Sequence, residues 1–318
     1  MDIWLFGPLA FIGSLALSLF FGVKLIPILR KLKYGQHILK IGPKWHSNKS
    51  GTPTMGGLIF IMSTLIASLI LCGISPYVYC AFFCGLGLSV IGFLDDITKI
   101  KNKQNKGLLS WQKFSLQIIV CIVFIIMAQH FGLIDNSIKI IFTDNYLDLG
   151  WFYMPFAVFV LVGANNAINL TDGLDGLATS TTIIISIFFA IVSYMYHLTA
   201  ITVLLLGLVG GLLGFLNFNM KPAKIFMGDT GSLFLGGIIP AVAILIKNPL
   251  ILAISGGIFV IETLSVIIQV VSFKLTKRRV FKMTPIHHHF EMCGWHENRI
   301  VTMFTLVTVV LCVIAYFI

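Results

Sequence analysis

Five of the 12 acidic residues in this 318-residue chain fall in three short clusters. Asp95 and Asp96 are adjacent. Asp172 and Asp175 sit in the run Asn169-Leu170-Thr171-Asp172-Gly173-Leu174-Asp175-Gly176, and Asp229 stands in Gly228-Asp229-Thr230-Gly231. A further acid, Glu262, lies deep in an apolar stretch. A carboxylate at the centre of a membrane span costs roughly 2.5–3.5 kcal/mol on insertion scales. Acids concentrated beside apolar segments therefore point to metal binding, proton handling, or both. Mg2+ takes one or two carboxylates and fills its remaining positions with water and phosphate oxygens. Lys and Arg nearby balance the rest of the phosphate charge. Phosphoryl transfer needs positioning, charge neutralisation and a group that manages the nucleophile, and the chain carries residue types for all three. No Walker A run or Rossmann glycine pattern occurs, so the common nucleotide-binding folds are not implied.

Each cluster also has a plainer reading. Asp95-Asp96 would serve as a solvated helix end, with Lys99 and Lys101 following. Asp172 and Asp175 would form a glycine turn held by Asx hydrogen bonds, although the run holds many polar groups for a plain turn. Asp229, between glycines, would cap the next helix, which is compatible with binding a metal. Glu262 would be a carboxyl satisfied inside a helix bundle. Phe226 is either a packing aromatic or a surface on which a base stacks. The run His287-His288-His289, with Cys293 and His296 close by, admits zinc, but the spacing is not that of a structural zinc site. Phosphate contact or proton handling by imidazole fits the setting better. Lys49, just before Gly51-Thr52-Pro53-Thr54-Met55-Gly56-Gly57, is the residue of the basic 30–49 segment best placed to reach a substrate.

The elements that must position these residues are membrane helices. The composition is 58% hydrophobic and 11% charged, against about 25% charged in soluble domains. Apolar stretches near the roughly 20 residues a helix needs to cross a bilayer recur near 4–29, 55–73, 76–94, 114–134, 150–168, 178–197, 199–218, 231–247, 249–273 and 299–318. The expected fold is an all-α polytopic membrane protein, one domain over 1–318, with about ten transmembrane helices. A small hairpin is expected in 131–149, around Ile138, Ile140 and Phe142, with Asp135, Asp144 and Asp148 as solvated loop residues. Of the 22 Lys and Arg, Lys24 lies within the first stretch, and only Lys139 and Lys247 fall in even-numbered connections. By the positive-inside rule the odd-numbered connections are cytoplasmic and both termini extracytoplasmic. Every acidic cluster and the histidine run then face the cytoplasm. The six cysteines suggest no disulfide framework, and five lie in apolar stretches where a thiol acts as a small apolar group. A transporter would place ionisable groups at mid-membrane in related halves, which only Glu262 resembles.

Five motifs occur in order: Gly51 to Gly57, Leu94-Asp95-Asp96, Asn169 to Ala178, Phe226 to Leu233, and Pro285 to Glu291. Together they resemble the phospho-N-acetylmuramoyl-pentapeptide-transferase family, within the polyprenyl-phosphate N-acetylhexosamine-1-phosphate transferases, over essentially the whole chain. The resemblance implies that UDP-N-acetylmuramoyl-pentapeptide and undecaprenyl phosphate give lipid I and UMP, with Mg2+ as cofactor. It implies a homodimer in the bacterial plasma (inner) membrane with a cytoplasmic-side site, and no nucleic-acid partner. By this resemblance Asp229 matches the Mg2+-binding aspartate. Asp95 and Asp96 match a catalytic pair, with Asp95 the favoured base. His287, His288 and His289 match a motif near the phosphates, and Phe226 the aromatic that packs on uracil. Lys49, Thr52, Asn169, Gly173, Leu174, Asp175 and Asn219 match nucleoside-side positions, and Asp172 joins the acidic set. Direct attack by the lipid phosphate and a covalent aspartyl intermediate both stay open. His37-Ile38-Leu39-Lys40-Ile41 departs from the family's usual arginine followed by acids. The nearest rival is a sister transferase moving N-acetylglucosamine-1-phosphate, against which the 51–57 run and the triple histidine argue.

Overall fold

The structure, a computed structural model, describes residues 2–31, 51–102, 107–143 and 145–318. Lys49, Asp144 and the 37–41 segment lie outside the described residues. In chain order the elements are α1 (Ile3–Lys31), α2 (Gly57–Cys72), α3 (Pro76–Asn102), α4 (Ser110–His130), β1 (Ser137–Lys139), β2 (Tyr146–Asp148), a single 3-10 turn (Gly150–Phe152), α5 (Tyr153–Thr171), α6 (Leu177–Met195), α7 (Thr199–Asn219), α8 (Gly228–Leu245), α9 (Pro249–Ser255), α10 (Gly257–Thr276), α11 (Ile286–Met292) and α12 (Glu297–Tyr316). Among the described residues, nine helices are long and apolar enough to cross a membrane. The chain is an all-α polytopic membrane protein.

Two expected spans differ in detail. The stretch at 55–73 becomes α2, only 16 residues and so about 24 Å long at 1.5 Å per residue. It starts late because the preceding segment is strapped to the 226–227 backbone. Phe226 donates its N–H to the Pro53 carbonyl at 2.8 Å, and Gly56 and Gly57 donate to Phe226 and Met227, each at 2.9 Å. The stretch at 249–273 is broken into α9 and α10 at Gly256. Adjacent glycines at 256 and 257 remove the helix propensity that would carry one element through.

α8 is the centre of the bundle, buried almost along its whole length. Its packing needs glycine at a close crossing, since a Cβ on Gly57 would overlap the Gly231 backbone. α2, α3 and α5 surround it. At the far end of α8 the expected hairpin is present, with Ile138 opposite Leu147. It docks through Ile138, which is buried, and through the Lys139 N–H, which donates to the Lys247 carbonyl at 2.8 Å. At the near end of α8 the last turns of α3 and α5 meet the first turns of α4 and α8. The helix ends that carry the acidic motifs thus gather at one end of the bundle.

Candidate active site

α3 runs past the apolar stretch to Asn102, so Asp95 and Asp96 lie inside a helix, each only 3% exposed. They are not a solvated helix end. Adjacent positions point about 100° apart on a helix, and the two carboxylates have different surroundings. Asp96 turns to the start of α8. Its Oδ1 accepts from the Asp229 N–H at 3.2 Å. Its Oδ2 accepts from the Thr230 N–H at 2.9 Å and the Thr230 hydroxyl at 2.7 Å. A helix N-terminus leaves its first N–H groups unpaired and favours negative charge, so Asp96 caps α8 from a neighbouring helix. Asp229 itself is not the cap. Met227 holds that position and Asp229 sits in the first turn.

The Asp229 side chain is therefore free to face outward. Its Oδ1 accepts from Asn169 Nδ2 at 3.1 Å, and the same amide donates to the Ser232 hydroxyl at 2.8 Å. Its Oδ2 accepts from Lys113 Nζ at 2.7 Å and Lys99 Nζ at 3.1 Å. Lys99, one helical turn beyond Asp95, also lies 2.6 Å from Asp95 Oδ2. Asp95 Oδ1 accepts from the Leu108 N–H at 2.8 Å. Asp95, Lys99, Lys113, Asn169 and Asp229 line a cleft of about 840 Å3, with Trp111 and Phe114 on its apolar rim. Carboxylate oxygens of Asp95, Asp96 and Asp229 lie within 4.8 Å of one another, and among the described residues this is the group that could hold a metal ion. An all-oxygen donor set suits a hard cation. Asp96 is already committed to α8, so Asp95 and Asp229 have more capacity to bind one.

The 172–176 turn follows α5 and reaches the α11 and α12 side. Burial, then the negative charges of Asp229, Asp96 and Asp175, push the Asp172 carboxyl well above the ordinary carboxylate range. Asp175 is buried. Its N–H donates to Glu297 Oε1 at 2.8 Å, and its Oδ2 accepts from the Ala223 N–H at 3.1 Å. Lys221 holds the other Glu297 oxygen at 2.9 Å. Leu174 packs in a small apolar cluster with Ile258, Ile300 and Phe304. Gly173 lies against the His287 ring.

The three histidines diverge. His287 Nδ1 is 2.9 Å from Glu262 Oε1, and His288 Nδ1 is 2.6 Å from Glu291 Oε2. His289 Nδ1 accepts from the Lys282 N–H at 3.2 Å. Cys293 approaches only His289, at 3.8 Å. Among the described residues no zinc-like grouping forms there. Glu262 is only half satisfied within the bundle, its Oε1 paired with His287 and its Oε2 buried without a partner among the described residues.

On the α2 side, Thr52 and Phe226 are half-buried in the strap. Asn219 is buried, and its amide is occupied. Its Nδ2 donates to the Ile225 carbonyl at 3.1 Å, and its Oδ1 accepts from Thr179 at 2.8 Å. Asn219 therefore shapes the loop that presents Phe226. Sequence reasoning did not single out Lys99, Lys113 or Glu297. Lys99 carried a signal in its spacing of four from Asp95, which puts both on one helix face. Nothing local marked Lys113 or Glu297.

Comparison with known proteins agrees with this arrangement. The glycosyl transferase family 4 profile matches residues 78–247, and the phospho-N-acetylmuramoyl-pentapeptide-transferase signature 1 matches residues 49–61. A phospho-N-acetylmuramoyl-pentapeptide-transferase of Clostridium perfringens is 48% identical over 309 residues, 97% of each chain. One from Clostridium kluyveri is 50% identical over 297 residues, 93% of each chain. One from Acetivibrio thermocellus is 47% identical over 314 residues, 96% of this chain and 93% of the relative. This chain belongs to the phospho-N-acetylmuramoyl-pentapeptide-transferase family. Its family signature covers the strap before α2, which holds the 225–227 segment and with it the start of α8. The glycosyl transferase match covers the helices that supply Asp95, Asp96, Asn169 and Asp229.

Proposed function

We propose that this chain transfers phospho-N-acetylmuramoyl-pentapeptide from UDP-N-acetylmuramoyl-pentapeptide to undecaprenyl phosphate, giving lipid I and UMP. It acts as a single-domain, multi-pass protein of the bacterial plasma membrane, and the resemblance adds a homodimer. The lysine and arginine distribution supports a cytoplasmic position for the cleft and an extracytoplasmic one for both termini. The observation that carries the reading is the joining of two carboxylates and two lysines in one cleft, with the Asp96 carboxylate beside them, in a chain belonging to this family.

The lipid phosphate oxygen attacks the β-phosphorus of the sugar nucleotide. The bond from that phosphorus to the bridging oxygen breaks, and UMP leaves. Asp95 and Asp229 would hold Mg2+, which when bound supplies charge neutralisation at the diphosphate. Lys99 and Lys113 attract and orient the phosphates. Asp95, restrained by Leu108 and Lys99, accepts the proton from the lipid phosphate. Asp96 holds the first turn of α8 and so keeps Asp229 on station. Phe226 offers its ring to uracil, with Thr52 and Asn219 around the same strap, and the sequence resemblance adds Lys49 to the nucleoside side. The 172–176 turn and the histidine segment close the site on the α10 side. All six oxygens of Asp95, Asp96 and Asp229 already accept a hydrogen bond or an ion-pair contact. Holding a metal ion at Asp95 or Asp229, or attack by either carboxylate, equally requires one of these contacts to give way.

The test is UMP release by the purified protein in detergent with Mg2+ and undecaprenyl phosphate. It compares UDP-N-acetylmuramoyl-pentapeptide with UDP-N-acetylglucosamine. Release with the muramoyl substrate alone is expected. Release with the glucosamine substrate alone moves the chain to the sister transferases, and release with neither removes the transferase reading.

A further inference from the structure

Glu262 is the one acid of α10, and the reaction above gives it no part. Its side chain is fully buried, as is that of His287 on α11, and Glu262 Oε1 lies 2.9 Å from His287 Nδ1. The far atom of each group, Glu262 Oε2 and His287 Nε2, is also buried, and among the described residues neither has a hydrogen-bond partner. A pair that served only to pin α11 to α10 would gain nothing from an orphaned nitrogen on its outer side. That nitrogen abuts Gly173, where a Cβ would overlap the imidazole. Gly173 is exposed and belongs to the turn after α5, whose last turn places Asn169 on Asp229. The backbone of Gly173 thus lies directly against His287 Nε2.

We infer that Glu262 is a positioning residue. It accepts a hydrogen bond from the Nδ1–H of His287 from inside the membrane helix and so turns the Nε2 lone pair toward the 172–176 turn. With Glu262 Oε1 as the acceptor of this pair, Nδ1 is the nitrogen that carries the proton. The other ring nitrogen is then an acceptor. It pairs with a donor on the sugar nucleotide, a hydroxyl or an amide N–H, because ionised phosphate oxygens offer acceptors only. His287 thereby parts company with His289, whose Nδ1 accepts from the Lys282 N–H, whereas His288 Nδ1 also faces a carboxylate, that of Glu291. Gly173 is required because any side chain there would fill the approach to Nε2. The inference rests on the transferase reading for its substrate but not for its geometry.

Nitrogen NMR of the histidine-labelled protein, with the His287 signal assigned from a His287→Gln variant, reads the ring directly. Nδ1 protonated and Nε2 unprotonated is expected. A proton on Nε2 overturns the inference, whether or not the protein releases UMP. Absence of UMP from the wild type would instead overturn the transferase reading and leave the NMR result standing. With active protein, Glu262→Met is expected to lower kcat/KM for the sugar nucleotide about tenfold to a hundredfold, the size seen when the partner orienting a functional histidine is removed. It should add no further loss in the His287→Gln background, because the two act as one unit. Equal losses in both backgrounds would make Glu262 merely structural. If Glu262→Met does not fold, Glu262→Gln decides. Its amide can donate to Nδ1 and favour the other tautomer, so wild-type kcat/KM there overturns the inference.

Discussion

At each end of α8 a lysine ammonium lies 2.7 Å from an aspartate oxygen, Lys113 on Asp229 at one end and Lys247 on Asp135 at the other. The distances match and the surroundings do not. Lys113 and Asp229 are each 17% exposed, whereas Asp135 is 59% exposed. Around Asp229 stand a second lysine, an asparagine amide and two more carboxylates. Asp135 has Lys247 and its neighbour Ser137. Separation alone therefore says little about what an ion pair does. Water reduces a surface pair to a fraction of a kcal/mol, while a sheltered cluster holds charge ready for a polyanionic substrate.

The largest break in this comparison is Asp229→Ala. UMP release should fall by roughly a thousandfold, in the upper range for losing one pre-placed electrostatic group. Lys113 loses its carboxylate and Lys99 keeps only Asp95, so unfolding should also cost less by about 3 kcal/mol, the scale for one partner removed from a sheltered pair. Activity titrated against Mg2+, with thermal unfolding in parallel, checks both. Activity that saturates at the wild-type Mg2+ concentration would remove Asp229 from the metal site.

Gly92→Ala reaches the same cluster without touching a charge. A Cβ at 92 would overlap the Asp229 carbonyl, so α3 and α8 must separate. Overpacking of this kind costs about 1–3 kcal/mol. The displacement moves Asp229 relative to Asp95, so kcat should fall with it. Unchanged kcat at reduced thermal stability would mean that the cleft tolerates movement of α8.

Asp172→Asn separates charge from stability more finely. The Asp172 carboxyl is held well above the ordinary carboxylate range by burial, then by Asp229, Asp96 and Asp175. A raised carboxyl contributes stability below its unfolded value, near 3.9, and that contribution is lost as pH rises through the folded value. Asn cannot ionise, so the variant should unfold at a higher temperature than wild type at alkaline pH, with the gap closing in acid. On the proposed reading, which puts the 172–176 turn at the site, activity should decline even as stability rises. A destabilised variant at alkaline pH would show Asp172 to be satisfied as an ion.

The apolar stretches made nearly every helix legible, because a span needs a length and composition that few other elements share. The hairpin was legible through alternation around Ile138. What escaped was set by neighbours distant in the chain. Asp95 and Asp96 look alike as a pair, and only the rotation of α3 against α8 assigns one to the cleft and the other to a cap. Lys113 meets Asp229 across 116 residues and Glu262 meets His287 across 25. Helical periodicity shows which face a residue shares with its own neighbours, not which helix will pack against that face. Asn219 carried a nucleoside-side expectation from the resemblance, yet its amide is spent on Thr179 and Ile225, a commitment visible only once the loop after α7 is folded back.

The smallest effect belongs to the far end of α8. Partial burial works against ionisation of Asp135, but hydrogen bonds from Lys247 and Ser137 outweigh it and draw its carboxyl down to about 2. A lowered carboxyl contributes stability that is present above its unfolded value, near 3.9, and is lost as pH falls through about 2. With Asp135 mostly in water that contribution is screened, and Asp135→Asn should cost about 0.5 kcal/mol or less at neutral pH. The difference from wild type should shrink further with added salt and vanish at acid pH. UMP release should not change, because the cleft lies the full length of α8 away, about 27 Å at 1.5 Å per residue. Thermal unfolding across salt and pH, beside the activity assay, measures it. A loss matching that of Asp229→Ala would mean that separation, not shelter, governs both pairs.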